Sequence, residues 1–569
     1  MSNDLKDRIA VARGRKKADL VIRGCRVANV FSGVIERADV AVHRGKVVGL
    51  GPYDGKTVLD ASSKIILPGF IDSHVHLESS MLVPAEFVRA ALPRGITGVV
   101  ADPHEIANVL GKKGIRYILR ATADLPLDFY FTLPSCVPTS RLETSGASLS
   151  SDDLATFLRH ERVLGLAEMM NYPGVLAGDR EVLRKLARFG HAPMDGHAPG
   201  LSGKDLAAYI GAGITSDHEC VTAEEALEKV RLGMTVYIRE GSAAKNLEAL
   251  LPAVSPSNSR SFCFCTDDLQ AGDLQRGAVD QMIRKAVRLG LDPVTAVRMA
   301  TINPALHFGL RRKGAVAPGY DADLVVIDSF AKFNVEMVFK KGRLVAREGK
   351  VRVPVKHVDN PSAKNSVKIP AFDVSHLRLK ARGDRARVIE LIPRQIETGQ
   401  AVLPVKTRGG FVISDTSRDI LKLLVIERHR SSGNIGFGLV RGFGLSSGAL
   451  ASTIAHDSHN IIAVGVDDTD LLKAILEIRQ MHGGMVVVDR GRVLARLPLP
   501  VAGLMSEKPA DAVAKKINEV HRAARHLGVK IDEPFSNLSF LALPVIPELK
   551  LTDRGLVDVN RFAFVDLFV

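Results

Sequence analysis

Cysteine is scarce in this chain. There are five in 569 residues, Cys25, Cys136, Cys220, Cys263 and Cys265. They form no disulfide framework, which excludes a small stapled scaffold and favours a reducing cytoplasm. No apolar run approaches the roughly 20 residues that cross a bilayer. A signal-peptide core is missing, since Asp4, Asp7 and Arg8 interrupt the N-terminus early. Acidic residues are outnumbered, 63 against 77 Lys and Arg, for a net charge of +14. Those cations are spread along the chain, and the densest cluster (Arg13, Arg15, Lys16, Lys17) is short. No recognised nucleic-acid-binding motif accompanies them. The surplus therefore reads as solvated surface, with neither nucleic acid nor a membrane as partner.

What is present describes a globular protein of two to four domains, 46% hydrophobic and 25% charged. Short β-prone runs broken by Gly24, Gly45, Gly49, Gly51 and Asp54-Gly55 fill residues 18–70. The same signature returns from Pro318-Gly319 to Val345, so 1–70 and 306–356 are expected to form one split β-sandwich. The insert, 71–305, alternates strand and helix signals. Strands are expected at 65–73, 96–101, 129–133, 163–167, 192–196, 214–217, 235–239 and 261–265. Eight such units in about 230 residues predict a (β/α)8 barrel, whose chemistry sits at the carboxyl ends of its strands. An open doubly wound sheet is the alternative, ranked lower because no glycine-rich phosphate fingerprint follows the first strand. A composition change near 357–365 marks a linker, and 357–569 reads as a separate α/β domain. Its run His456-Asp457-Ser458-His459-Asn460 either closes over the barrel mouth or makes a structural turn.

The strand ends carry the chemistry. In Pro68-Gly69-Phe70-Ile71-Asp72-Ser73-His74-Val75-His76, strand alternation points both imidazoles the same way. Two imidazoles on one face can share a metal ion. Strand four ends at Glu168, strand five at Asp195-Gly196-His197, strand six at Asp217-His218-Glu219 and strand eight at Cys265-Thr266-Asp267-Asp268. Singly, each is explained by a helix cap or a satisfied core histidine. Together they supply six N/O donors at one rim, more than one tetrahedral ion needs. They suit two ions, His74, His76 and Asp267 on one, His197 and His218 on the other, with Glu168 between. Cys263 and Cys265 suggest either a soft metal site or, more simply, the small side chains that barrel interiors take.

These motifs resemble the amidohydrolase superfamily: Pro-Gly-Phe-Ile-Asp-x-His-x-His, a strand-four carboxylate, two later histidines and a strand-eight aspartate. More narrowly, stretches such as Ala101-Asp102-Pro103-His104-Glu105-Ile106-Ala107-Asn108 and Arg239-Glu240-Gly241-Ser242-Ala243 resemble its adenine deaminases along nearly the full length. Many superfamily members bridge their metals with a carboxylated lysine. Glu168 stands there instead, which weighs against dihydroorotase or hydantoinase. The Pro-Cys-x-x-Cys of cytidine deaminases is absent.

The resemblance implies hydrolysis of adenine to hypoxanthine and ammonia in purine salvage, by a hydroxide shared between two divalent ions. Mn(II) or Fe(II) is expected, with Zn(II) open. A different aminated heterocycle or a cyclic amide is the alternative substrate. Asp267 is the expected proton shuttle. Glu240, Asp102 and Glu105 are the candidates for protonating ring N1. Ser242 either hydrogen-bonds a ring nitrogen or caps a helix, and His104-Glu105 either touches substrate or orients ligands. A homodimer is the expected assembly.

Overall fold

The computed structural model describes residues 2–393 and 395–569. All eight expected strands of the insert form, and all are parallel. They are β1 (Phe70–Val75), β2 (Ile96–Ala101), β3 (Asp128–Leu133), β4 (Val163–Met169), β5 (Met194–Gly196), β6 (Ser216–Asp217), β7 (Thr235–Arg239) and β8 (Phe262–Cys265). Strands β1–β5 make one arc and β6–β8 another. The arcs join where the Thr215 N–H donates to the Met194 carbonyl at 2.8 Å. They join again where the Asp267 N–H donates to the His74 carbonyl at 3.0 Å and the His76 N–H to the Asp267 carbonyl at 3.1 Å. The ring therefore closes on the residues of interest. Ile71, Val100, Tyr237, Cys263 and Cys265 pack together inside it. Cys263 and Cys265 are fully buried in that cluster, as interior filling would be, and burial pushes the Cys263 thiol up to about 12.

The segments flanking the barrel pair with each other. Leu324–Ile327 runs antiparallel to Ile65–Pro68, Leu324 opposite Pro68 and Ile327 opposite Ile65. That pair sits at the centre of a seven-stranded sheet, which faces a four-stranded sheet built from Ala18–Arg23, Val40–His43, Lys46–Leu50 and Gly55–Asp60. The expected first barrel strand, 65–73, is thus two strands in two different sheets. Gly69 is the break, and a Cβ there would lie 2.2 Å from Thr97 Oγ1, so only glycine lets the chain pass.

Beyond 356 the chain is richer in sheet than expected. Eight strands form one sheet in the order Thr398–Pro404, Arg385–Leu391, Ile435–Arg441, Ile420–Ile426, Ile461–Gly465, Ala449–Ser452, Gly484–Asp489 and Arg492–Pro498. Strand alternation splits its side chains. Leu424, Ile426 and Ala463 pack under the helix Asp468–Gln480. Leu421, Leu423, Val425 and Val464 join the buried cluster that runs on into the barrel. Backbone bonds tie the segment to the barrel too, the Ser506 N–H to the Met81 carbonyl at 2.8 Å and the Val83 N–H to the Ser506 carbonyl at 3.1 Å. Among the described residues no helix is long and apolar enough to cross a membrane.

Candidate active site and metal centre

Six side chains meet at the carboxyl ends of the strands. A register shift between Asp72 and Val75 turns the end of β1 so that His74 and His76 both point to the barrel axis, with their Nε2 atoms 3.1 Å apart. Their other nitrogens are held from behind. Asp195 Oδ2 lies 2.7 Å from His74 Nδ1, and the Asp102 carbonyl 3.0 Å from His76 Nδ1. Such backing bonds fix which nitrogen is free to ligate. Asp267, just past β8, has φ +56°, a left-handed backbone that Asp tolerates better than most residues. That turn aims Oδ1 at both rings, 3.0 Å from His76 Nε2 and 3.5 Å from His74 Nε2.

Glu168, near the end of β4, divides its two oxygens. Oε1 lies 3.2 Å from His76 Nε2 and 3.7 Å from His74 Nε2. Oε2 lies 2.5 Å from His197 Nδ1 and 3.4 Å from His218 Nε2. Donors bound to one ion at ~2.1 Å and at right angles are about 3 Å apart, so these spacings fit two ions flanking one carboxylate. The charges fit as well. Asp102, Glu168, Asp195, Glu219 and Asp267 are all buried here, against one guanidinium, that of Arg239. The surplus of negative charge suits a dication, and it also acts on the imidazoles. Burial favours neutral imidazole, yet Asp195, Asp267 and Glu168 overcome it and hold His74 well above the ordinary value. Burial and neighbouring His74 likewise oppose protonation of His218, and Asp195 and Glu168 still lift it to about 10.

The other expected residues fall in different places. His104 and Glu105 line the cavity in front of the six donors. Asp102 is not on that wall. Its Oδ2 holds His104 Nδ1 at 2.8 Å and its Oδ1 accepts the His104 N–H at 3.0 Å. Ser242 is on the wall, but its hydroxyl is engaged, donating to Asp273 Oδ2 at 2.5 Å and accepting the Gln270 N–H at 2.9 Å. The expectation for Glu240 is wrong. Its carboxylate bonds Lys285 Nζ at 2.5 Å and accepts the Leu247 N–H at 3.2 Å, outside the catalytic cavity. The cause is strand parity: Tyr237 packs inward, so Arg239 follows it and the next residue faces out.

Arg239 is a residue the sequence reading passed over. It forks onto Glu219 and reaches Asp267 Oδ2 at 2.8 Å. The alternation from Tyr237 would have found it. His456 and Asp457, read as lid or turn, line the cavity, with His456 Nδ1 2.9 Å from Glu105 Oε1 and His459 also bonded to Glu105. The cavity, about 990 Å3 counting its mouth, is thus polar on the barrel side. Ile454, Met485, Phe535, Phe540 and Leu543 make its apolar side. Phe540 stacks on His456 at 4.8 Å.

Residues 65–345 match the amidohydrolase family, and 395–563 match the adenine deaminase C-terminal domain. The chain is 49% identical over 563 residues to adenine deaminase 2 of Carboxydothermus hydrogenoformans, covering 99% of each. It is 49% identical over 568 residues to the adenine deaminase of Methanothrix thermoacetophila, covering 99% of this chain and 100% of that one. This chain belongs to the adenine deaminase family. Among solved structures, the β-aspartyl dipeptidase of Fervidobacterium islandicum AW-1 is similar over 59% of this chain and 98% of its own, at 19% identity and a TM-score of 0.47. Membership makes the chain a hydrolase of C–N bonds and implies divalent metal, for which the clustered imidazoles and carboxylates provide donors. All six donors lie within the amidohydrolase match. The apolar wall lies within the C-terminal match.

Proposed function

We propose that the chain removes the 6-amino group of adenine by hydrolysis, with hypoxanthine and ammonia as products. The observation that carries this is Glu168, one oxygen toward His74 and His76 and the other toward His197 and His218. In this reading His74, His76 and Asp267 would hold one divalent ion and His197 and His218 a second, with Glu168 offering one oxygen to each set. Mn(II) or Fe(II) suits the mixed imidazole–carboxylate set, as does Zn(II). Such ions supply the Lewis acidity that makes water nucleophilic at neutral pH.

The chain's own residues then manage protons and position. Asp267 takes a proton from the attacking water and gives it to the departing nitrogen, which leaves as ammonia. Arg239, bonded to Oδ2, fixes the plane of that carboxylate and keeps it a weak enough base to return the proton. Of the three groups considered for ring N1, Glu105 alone lines the cavity, and the proposal routes the N1 proton through it and its neighbour His104, 3.5 Å away. Asp102 is then a positioning residue, acting through His104 Nδ1. The apolar wall from Ile454 to Leu543 covers the base and excludes water. The proposal extends to a cytoplasmic homodimer serving purine salvage, with no nucleic-acid or membrane partner.

The test is ammonia release from adenine, guanine, cytosine and adenosine by the metal-loaded protein. Adenine should give ammonia and hypoxanthine in equal amounts. Release from another base alone, or ring opening of a cyclic amide without ammonia, would overturn the reading.

A further inference from the structure

A second cleft, about 1120 Å3 with its mouth, opens on the outer side of the loop that follows β7. Five cations line it, Lys245 from that loop, Arg276 from the next helix, and Arg284, Lys285 and Arg288 from the helix Val279–Arg288. Two carboxylates also line it, and both are already engaged. Glu240 pairs with Lys285 at 2.5 Å, and Asp273 with Arg276 and the Ser242 hydroxyl. Lys245, Arg284 and Arg288 form no ion pair among the described residues. Three uncompensated cations around a concave surface focus a positive potential, and guanidinium forks match phosphate oxygens. One phosphate monoester brings about two negative charges, so a diphosphate comes nearer to balancing three cations.

The cleft is back to back with the catalytic cavity. Gly241 lines both, and Ser242 and Ala243 beyond it line the catalytic side. The turn is held by backbone bonds, the Gly241 N–H to the Ala244 carbonyl and the Ser242 N–H to the Asp268 carbonyl, both at 2.8 Å, and by Glu240, which bonds Lys285 on the outer helix and the Leu247 N–H on its own segment. An anion that draws Lys285 away removes one anchor of the turn that presents Gly241–Ala244 to the cavity.

We infer that this outer cleft binds a diphosphate-bearing anion, and that binding there weakens purine binding in the catalytic cavity through the shared 240–244 loop. Linkage makes the effect reciprocal, so purine also weakens the anion. The test is calorimetric titration of the metal-loaded protein with pyrophosphate, with UDP and with uridine, metal content being measured before and after. Pyrophosphate and UDP should each bind saturably, one per chain, and uridine should not. Tighter UDP would mean that a nucleotide is the source, and equal affinity that the free diphosphate suffices. In Arg284→Gln/Arg288→Gln, and separately in Lys245→Gln, affinity should drop by about tenfold or more. With saturating pyrophosphate, KM for adenine should rise by about fivefold or more in the wild type and stay unchanged in the variants. Absence of saturable binding, or variants that bind as tightly as wild type, would overturn the inference. The titration needs no turnover, so its failure is distinguishable from a failure of the proposed deamination.

Discussion

Asp195 touches none of the proposed ions, yet it decides where His74 points. Its Oδ2 meets His74 Nδ1 at 2.7 Å, and its Oδ1 accepts the Ser216 hydroxyl at 2.8 Å. Asp195→Asn keeps the shape but allows the ring the wrong tautomer. Metal affinity or kcat/KM should fall by about 10–100-fold, as read by metal titration of the stripped protein. Glu240→Gln should behave otherwise. Its partner Lys285 is partly exposed, and such pairs are worth about 0–1 kcal/mol, so kcat should stay within about fivefold of wild type while KM moves more. A loss of kcat like that expected for a proton donor would restore Glu240 to the chemistry. The two residues also show what was legible at this scale. His74, His76, Glu168 and Asp267 are readable because each closes a stretch begun by an apolar run, and His197 and His218 because each follows an aspartate at the next two strand ends. Which way a side chain faces depends on parity counted from the interior. Glu240 fails by that single step, and Arg239, which takes the inward position, was missed by the same step.

At the scale of elements, six of the barrel strands are legible because each holds a short apolar run bounded by turns; β5 (Met194–Gly196) and β6 (Ser216–Asp217) carry no such run. The break at Gly69 was legible in part, because Pro68-Gly69 marks a corner, but nothing local says that the chain changes sheets there. The strand Leu549–Thr552 carries a different penalty. Lys550 is fully buried, donates to the Ile396 carbonyl at 2.8 Å, and has its ammonium lowered by burial to about 7 from an ordinary 10.5. Below pH 7 the folded and unfolded chains both hold that proton, and the cost of burying the charge is fully present. Between about 7 and 10.5 the unfolded chain holds the proton and the folded chain does not, so stability rises with pH. Lys550→Met should therefore stabilise the protein by about 1 kcal/mol or more near pH 6.5. The gain should shrink toward pH 10 when thermal unfolding midpoints are compared across that range. A gain independent of pH would show that the ammonium is not the cause.

At the scale of the whole molecule, the barrel supplies charge and the last 200 or so residues supply the apolar wall. The motif around His456 was visible in the sequence. Its destination was not, because the pairing of Glu105 with His456 and His459 spans about 350 positions and is set by packing of the large sheet on the barrel. The whole account turns on Glu168 sitting between two sets of donors. Elemental analysis of the purified wild type and of His197→Asn/His218→Asn tests it most directly. Two ions per chain in the wild type and one in the variant is the predicted result. Two ions retained in the variant, or one ion in a wild type that deaminates adenine at its full rate, would contradict it.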